Sequence, residues 1–527
     1  MSRSRVFLSG PMGSGKSTVA QLLGAALGLP TLDLDRRIEE RSGVSVAELF
    51  RLRGEIGFRA IEAEVLTALL ADPTTEDAVI ALGGGTLVAR ELRHAVLAAG
   101  VVLTLDAAPQ VLAQRIGRDA ARPLLAGRDP VEALSAICAQ RREVYAECDA
   151  RIDTAECTPE EVVARVLAVV GGTRVVVPLG ARTYGVEIGE GLRTQLPARV
   201  AEHARGARVL VTDATVDAHW GPETRVSLAH ETSALIDVVL QPGERAKTLS
   251  SVAEVWDAAL GAGIDRDAIV IALGGGVIGD MAGFAASTLL RGVAFAQLPT
   301  TLLAMVDSSV GGKTGVDRAE GKNLIGTLYQ PRFVLCDVGF LATLPVEERR
   351  SGLGEVVKCA LLAGERELEA LERDAPLLSA GDSAATTRAI TMAVALKARI
   401  VAADEDETRG LRLSLNLGHT LGHALEAESG YTLRHGEAVA LGLLAALRVG
   451  EGLALTRPEL RVRVAHLLTA LGLPTDVEAR IGPNTLRWVG QDKKRAAGKV
   501  RFVVPVAPGD ARVVPLGAAE LEQLCRS

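Results

Sequence analysis

The chain has 527 residues, of which 48% are hydrophobic, 23% charged and only 3% aromatic, and a formal net charge of −7. These are globular values and, at about 150 residues per domain, they predict three or four folding units. Scarce aromatics exclude base stacking as a main occupation, and the acidic balance excludes a general affinity for nucleic acid or anionic membrane.

In chain order, Val6–Ser9 reads as a first strand, because its apolar patch is too short for a signal-peptide core. Ser17–Leu27 places Val19, Leu22, Leu23, Ala26 and Leu27 on a helical stripe. Val79–Leu82 and Val101–Leu105 read as buried strands, and a helix from Pro159 to Val170 closes the series. Such alternation predicts a parallel sheet with helices on both faces over residues 1–170. Residues 171–174 read as a linker. A second α/β series begins at Val175, with strands at Arg208–Thr212, Ile236–Leu240 and Ala268–Leu273, and runs to Asp337. Beyond it the Ala/Leu/Glu/Arg-rich stretches are helical by propensity, so 338–527 is expected to be mainly helical with a last β-like piece at Val500–Pro505. No charge-free run is long enough to span a bilayer. Six cysteines without a CxxC pair fit a reducing cytoplasm. AVIALGGG at 78–85 echoes AIVIALGGG at 268–276. With nothing else shared, both read as parallel strands ending in a glycine turn where backbone can approach a ligand.

The first chemical signal is Gly10-Pro-Met-Gly13-Ser14-Gly15-Lys16-Ser17-Thr18, a GxxxxGK[ST] loop between a predicted strand and a predicted helix. Its glycines let backbone N–H groups wrap phosphates, Lys16 offers a cation, and Ser17 can ligate Mg²⁺. Asp33 and Asp35 follow on the next strand end, where a period of two would turn both to one crevice. One could orient the metal while the other accepts a hydroxyl proton. Arg59 and Arg141 are candidates for gripping a carboxylate, although either alone is an ordinary solvated helix residue. Arg115, Arg118, Arg122 and Arg128 crowd a stretch whose composition suits a mobile lid.

These pieces, with Phe58-Arg59-x-x-Glu62, Gly83-Gly84-Gly85 and Arg122-Pro-Leu-Leu125, resemble shikimate kinase over residues 3–170. The resemblance implies a P-loop kinase using ATP with Mg²⁺. Asp33 and Ser17 would hold the metal. Asp35 would bind the shikimate hydroxyls, Arg59, Arg141 and Gly83–Gly85 would hold shikimate, and Arg122 would meet ATP. Another small-metabolite kinase, such as a gluconate kinase, is the alternative. The arginines with Asp35 favour shikimate.

The second signal is Gly274-Gly275-Gly276-Val-Ile-Gly279-Asp280, where a strong strand opens into a helix, as a pyrophosphate site requires. Asp213, Glu244 and Lys247 lie at other strand or loop ends. Three of the eight histidines fall within 416–437, and His419 and His423 are i,i+4 on one helical face. No Glu follows His419, so an HExxH protease is excluded. An imidazole pair with a carboxylate, best supplied by Glu355, still suits Zn²⁺ with open positions. Arg291, Lys313, Lys322, Lys358, Lys397, Arg412, Lys493 and Lys494 recur among glycines, which points to a phosphorylated, carboxylated substrate.

This combination is very similar to 3-dehydroquinate synthase from Val175 onward. The resemblance implies a Rossmann-like NAD-binding domain followed by an α-helical metal domain, with Zn²⁺ or Co²⁺ on Glu355, His419 and His435. NAD⁺ would lie on Gly274–Gly276, Gly279, Asp213, Glu244, Lys247, Asp280, Thr300, Thr301 and Thr343. Substrate would meet Arg291, Asp307, Lys313, Lys322, Asn323, Lys358, Lys397, Arg412, Asn416, His423 and one of Lys493 or Lys494. Lys313, Lys358 and His423 are the expected catalytic groups there, as Lys16 and Asp35 are in the kinase. Glu407-Thr-Arg409-Gly-Leu-Arg412 is a residue longer than the family pattern, which makes Lys397 the least secure transfer. The expected partners are small molecules, shikimate and 3-deoxy-D-arabino-heptulosonate 7-phosphate, with no nucleic acid or membrane, and there is room for a homodimer through the synthase part. A polyol-dehydrogenase-like domain and a non-catalytic nucleotide-sensing scaffold are the alternatives.

Overall fold

The computed structural model describes residues 5–116, 129–170, 174–229, 233–430, 432–480, 485, 495–496 and 499–526. Two compact units meet in sequence between Thr183 and Tyr184.

In the first unit the strands are β1 Val6–Ser9, β2 Thr31–Asp33, β3 Val79–Ala81, β4 Val101–Asp106 and β5 Ala150–Asp153, in the order β2-β3-β1-β4-β5. All pairings are parallel. Both faces of the sheet are buried, which is why its strands read as unbroken apolar runs. Phe7, Ile80 and Val102 pack on one face, while Val6, Leu8, Val79, Leu103 and Leu105 pack on the other. The carboxyl ends of β1, β2 and β3 therefore deliver the phosphate loop, Asp33 and the triple glycine to one edge. A further short strand, β6 (Arg174–Val177), follows the helix Pro159–Val170.

Asp33 and Asp35 do not alternate along a strand, because β2 ends at Asp33 and a helix Leu34–Ser42 begins. Asp33 is the N-cap, its Oδ1 accepting from the amides of Asp35 (3.0 Å) and Arg36 (3.3 Å). A capping carboxylate satisfies otherwise unpaired amides, so helix starts at such a residue are favoured over a longer strand.

In the second unit β7 Tyr184–Gly189, β8 Arg208–Asp213, β9 Leu235–Leu240, β10 Ile269–Gly274, β11 Ala294–Pro299 and β14 Phe333–Asp337 flank a hairpin in sequence, β12 Lys313–Arg318 with β13 Gly321–Leu328. The six run parallel in the order β7-β14-β11-β10-β8-β9. From β8 the chain moves outward to β9, and from β10 it moves the other way to β11 and β14. The crevice between the carboxyl ends of β8 and β10 is thus a topological switch point, where open α/β sheets bind ligands. After β14 the buried Asp337 accepts from the amides of Gly191, Arg193 and Gly339, each at 2.9 Å, and pins the turn. Long helices follow: Val346–Ala363, Glu365–Ala380, Ser383–Ala403, His419–Glu428, His435–Gly452 and Pro458–Ala470. Near the C-terminus β15 Arg495–Ala496, β16 Lys499–Ala507 and β17 Asp510–Leu516 form a small antiparallel sheet. Among the described residues no helix is long and apolar enough to cross a membrane.

Candidate active sites

In the first unit a cavity of about 740 Å³ is lined by Gly13, Gly15, Lys16, Ser17, Thr18, Asp33, Asp35, Arg59, Glu62, Gly83–Gly85 and Arg141, among others. The loop before it needs left-handed backbone at Gly13 (φ 79°) and Gly15 (φ 90°), which glycine adopts without strain. Gly15 is the N-cap of the helix Lys16–Leu27 and offers no side chain to its first amides. Ser14 Oγ is buried without a partner. Unsatisfied donors at a helix start form a phosphate cradle, so ATP phosphates fit the residues present. Lys16 Nζ donates to the carbonyls of Gly10 and Pro11, both at 2.9 Å, and so rests on the loop itself. Ser17 Oγ donates to Asp33 Oδ2 at 2.8 Å, which sets a hydroxyl and a carboxylate side by side as Mg²⁺ ligation requires.

Asp35 lines the same cavity. Burial, then the neighbouring Asp33 and Glu62 charges, push its carboxyl up to about 6. Glu62, almost fully buried, accepts from Arg59 Nη1 at 2.6 Å and from Thr86 Oγ1 at 2.6 Å. The three glycines have a steric reason. A Cβ on Gly85 would fall 2.1 Å from Arg59 Nη2, and one on Gly83 would fall 2.8 Å from Glu62 Oε1. Arg141 Nη1 and Tyr145 Oη both donate to Gly84 O, at 2.5 and 2.9 Å. Arg115 lines the same cavity, and its guanidinium donates to Thr154 Oγ1 at 2.9 Å and to the Thr154 backbone carbonyl at 2.5 Å. Arg118, Arg122 and Arg128 lie outside the described residues, as do Lys493 and Lys494.

In the second unit Gly275 caps the helix Gly276–Thr288 without a side chain. A Cβ on Gly276 would fall 2.9 Å from Ser308 Oγ, and one on Gly275 would fall 3.2 Å from Thr301 Cγ2. The buried hydroxyls of Thr300 and Ser308 have no partner. A side-chain-free helix start ringed by unpaired hydroxyls fits a dinucleotide's pyrophosphate. Gly279, one turn along that helix, lies against Gln297. Asp213, at the end of β8, caps the next helix by accepting from the amides of Thr215 and Val216. Thr343 is farther along the chain, and its hydroxyl accepts from Trp220 Nε1 at 2.9 Å. Lys247 Nζ binds Asp280 Oδ2 (2.6 Å) and Asn323 Oδ1 (2.5 Å), while Lys322 pairs with Glu244 at 3.4 Å.

Glu355, fully buried on the helix Val346–Ala363, is the centre of the third group. His419 Nε2 and His435 Nε2 lie 3.4 and 3.3 Å from its Oε1, and Lys358 Nζ is ion-paired with its Oε2. Neither Glu355 oxygen has a well-directed hydrogen bond. A buried carboxylate short of donors beside two imidazole nitrogens fits a divalent cation. Burial works to raise Glu355, but Lys358 and His435 hold it down at about 2. Burial lowers His435, but the Glu355 and Glu426 carboxylates beside its two ring nitrogens outweigh this and raise it to about 10. Two glycines explain the close approach of the two helices. A Cβ on Gly354 would fall 2.1 Å from Gly436 O, and Gly436 has still less room against Ser351 O.

The metal-like set is thus Glu355, His419 and His435, not the i,i+4 imidazoles. His423, on the same helix as His419, joins His435 and Glu426, which ends the Asn416–Glu426 stretch and was given no role from sequence. Glu426 follows His419 by seven and His423 by three, so its place on that helix face was legible. Lys397, the least secure transfer, donates to Asp307 Oδ1 at 2.7 Å. Lys313 and Arg412 both pair with Glu407, named in the sequence only as the start of the lengthened loop, whose φ of 56° only the folded loop reveals. Asn416 ends the turn that leads to His419. Arg291 (φ 66°) is exposed, and no hydrogen bond or ion pair among the described residues ties it to this set.

Family models match these parts: shikimate kinase over residues 12–171, 3-dehydroquinate synthase N-terminal over 237–351 and 3-dehydroquinate synthase C-terminal over 352–495. A 3-dehydroquinate synthase of Symbiobacterium thermophilum is 42% identical over 341 residues, 64% of this chain and 95% of its own. Among solved structures, a 2-deoxy-scyllo-inosose synthase complexed with carbaglucose-6-phosphate, NAD⁺ and Co²⁺ matches 65% of this chain and 96% of its own at 26% identity (TM-score 0.59). A 2-epi-5-epi-valiolone synthase from Streptomyces hygroscopicus with NAD⁺ and Zn²⁺ bound matches 65% and 95% at 31% identity (TM-score 0.58). These findings do not favour the polyol-dehydrogenase or sensing-scaffold alternatives. The chain belongs to the 3-dehydroquinate synthase family and carries a shikimate kinase domain ahead of it, which makes it a bifunctional shikimate-pathway enzyme, a kinase and a lyase in one polypeptide.

Proposed function

We propose that the first unit phosphorylates a shikimate hydroxyl with ATP and that the second converts 3-deoxy-D-arabino-heptulosonate 7-phosphate to 3-dehydroquinate and phosphate. The observation that carries the second assignment is Glu355, buried and short of hydrogen bonds between His419 and His435. When bound there, Zn²⁺ or Co²⁺ supplies Lewis acidity at a substrate hydroxyl. NAD⁺, when bound at the glycine turn, supplies a reversible hydride acceptor. Lys313 and Arg412 bind the anionic ends of the substrate, leaving Glu407 as they do so. Lys358 and His423 hold charge and protons near the reacting carbon. A chelator should abolish phosphate release from the heptulosonate, and added Zn²⁺ or Co²⁺ should restore it; release that ignores the chelator rejects the assignment.

In the kinase, Lys16 offsets phosphate charge, Ser17 and Asp33 would hold the Mg²⁺ that offsets the rest, Arg59 and Arg141 grip the shikimate carboxylate, and Asp35 takes the hydroxyl proton. A base works deprotonated. With Asp35 raised to about 6, kcat/KM for shikimate should be flat above pH 6 and fall about tenfold per unit below it. Asp35→Asn should lower the plateau by about 10²–10⁴-fold. An unchanged acid limb in that variant counts against Asp35. Gly85→Ala should displace Arg59 and cost about 10²-fold in kcat/KM for shikimate, since a misplaced positioning group is felt on that scale. Wild-type kinetics in a coupled assay reject this packing account.

The domains are read as 1–170, a linker 171–174, 175–337 and 338–527. The last boundary follows the end of β14, beyond which helices dominate. The synthase part is read as a homodimer. Its hairpin strand β13 is exposed and carries Leu324, Ile325 and Leu328, an apolar edge that a second copy would cover. Light scattering should give twice the chain mass, and a monomer at micromolar concentration rejects the dimer. All six cysteines are free thiols, which supports the reducing cytoplasm as the compartment.

A further inference from the structure

We propose that Glu426 is a positioning residue for the metal centre, holding the His435 ring by its Nδ1–H so that Nε2 faces the cation. The inference rests on the reading of Glu355, His419 and His435 as ligands. His435 Nδ1 lies 3.2 Å from Glu426 Oε1, and its Nε2 lies 3.3 Å from Glu355 Oε1. One ring nitrogen is therefore held by Glu426 while the other faces Glu355. His419 is held in the same way, with Nδ1 3.2 Å from Leu417 O and Nε2 3.4 Å from Glu355 Oε1. One imidazole leans on a backbone carbonyl and the other on a carboxylate. Both devices fix the tautomer that leaves Nε2 free for a metal.

Glu426 is suited to this role. It is only 8% exposed, so its orientation is set by packing. It projects from the helix that begins with His419, while His435 begins the following helix. The bond therefore joins the ligand-bearing ends of two elements and fixes their spacing. Its charge also matters. A dication would enter a site already holding the Lys358 ammonium, and a second carboxylate beside His435 offsets that repulsion. A carboxylate acceptor makes the imidazole a stronger donor to metal than a neutral acceptor does.

The test titrates the metal-free full chain with Zn²⁺ against a chelating indicator. Glu426→Ala should weaken zinc binding by about 10–100-fold. Glu426→Gln should weaken it less, because the amide oxygen still accepts Nδ1–H but carries no charge. Both Co²⁺-loaded variants should show a shifted visible spectrum, reporting altered geometry at the ion. The urea midpoint of the metal-free chain should be unchanged in Glu426→Gln, which separates ligand positioning from simple loss of fold. Affinities within twofold of wild type in both variants overturn the proposal. So does a wild type that binds two zinc ions, of which Glu426→Gln removes only the second, because Glu426 is then a ligand in its own right. His435→Ala separates the two readings. If it retains wild-type zinc affinity, the ligand set itself is wrong. If it loses zinc while Glu426→Ala keeps it, the ligand set stands and the positioning role falls.

Discussion

Replacing His435 with alanine should lower metal-dependent phosphate release from the heptulosonate phosphate by about 10²–10³-fold or more, the scale on which loss of a preorganised electrostatic partner is felt. Zinc content measured on the purified chain should fall with it, and shikimate phosphorylation should stay within twofold of wild type. His435 is a better probe than Glu355. Glu355 and Lys358 are both essentially fully buried and paired with each other. Removing the carboxylate would leave a buried ammonium without its ion-pair partner, at a cost of about 3–5 kcal/mol. A protein of ordinary stability has only about 5–15 kcal/mol in reserve, so loss of activity there would be confounded with loss of fold. The His435 side chain is about a quarter exposed, 26%, and its truncation leaves Glu355 with Lys358 still beside it. Undiminished phosphate release in His435→Ala rejects it as a ligand.

What the sequence could show, and what it could not, follows from the range of each interaction. Strands such as Val6–Ser9 were legible because both faces are buried and the apolar run is continuous. The helix Pro159–Val170 was legible from its period. Asp33 and Asp35 were assigned to the right crevice by the wrong route. Period two assumed a strand, whereas Asp33 caps a helix and carries Asp35 into the cavity on its first turn. The hairpin β12–β13 was missed because lysines, glycines and polar residues break its apolar alternation. At the metal centre the local pair Glu355 and Lys358 follows from i,i+3 spacing. The approach of His435 does not. It depends on the helices of Glu355 and His435 crossing backbone against backbone at Gly354 and Gly436, which no pattern within either segment announces. The pairing of Lys397 with Asp307 spans 90 residues for the same reason. Family resemblance supplied His435 as an expected ligand but not the Lys397–Asp307 pair, and local chemistry alone would have kept His423 in place of His435.

Lys16→Ala should reduce ATP-dependent shikimate phosphorylation by about 10²–10³-fold while leaving phosphate release by the synthase part unchanged. Lys16 Nζ rests on the carbonyls of Gly10 and Pro11, at 2.9 Å each, so the ammonium is already placed over the loop whose amides would receive the phosphates. Alanine keeps the helix start and removes the charge, which costs most where negative charge accumulates on the transferring group. The amide cradle and Ser17 remain, so ATP should still bind more weakly rather than not at all, and the loss should fall mainly on kcat. The two activities should separate because each unit has its own hydrophobic core: Phe7, Ile80 and Val102 in the first, Val209, Val270 and Met281 in the second. Coupled assays of both reactions on one preparation decide the matter. If the synthase rate falls in parallel with the kinase rate, the two sites do not act independently and the change at Lys16 has been transmitted through the chain.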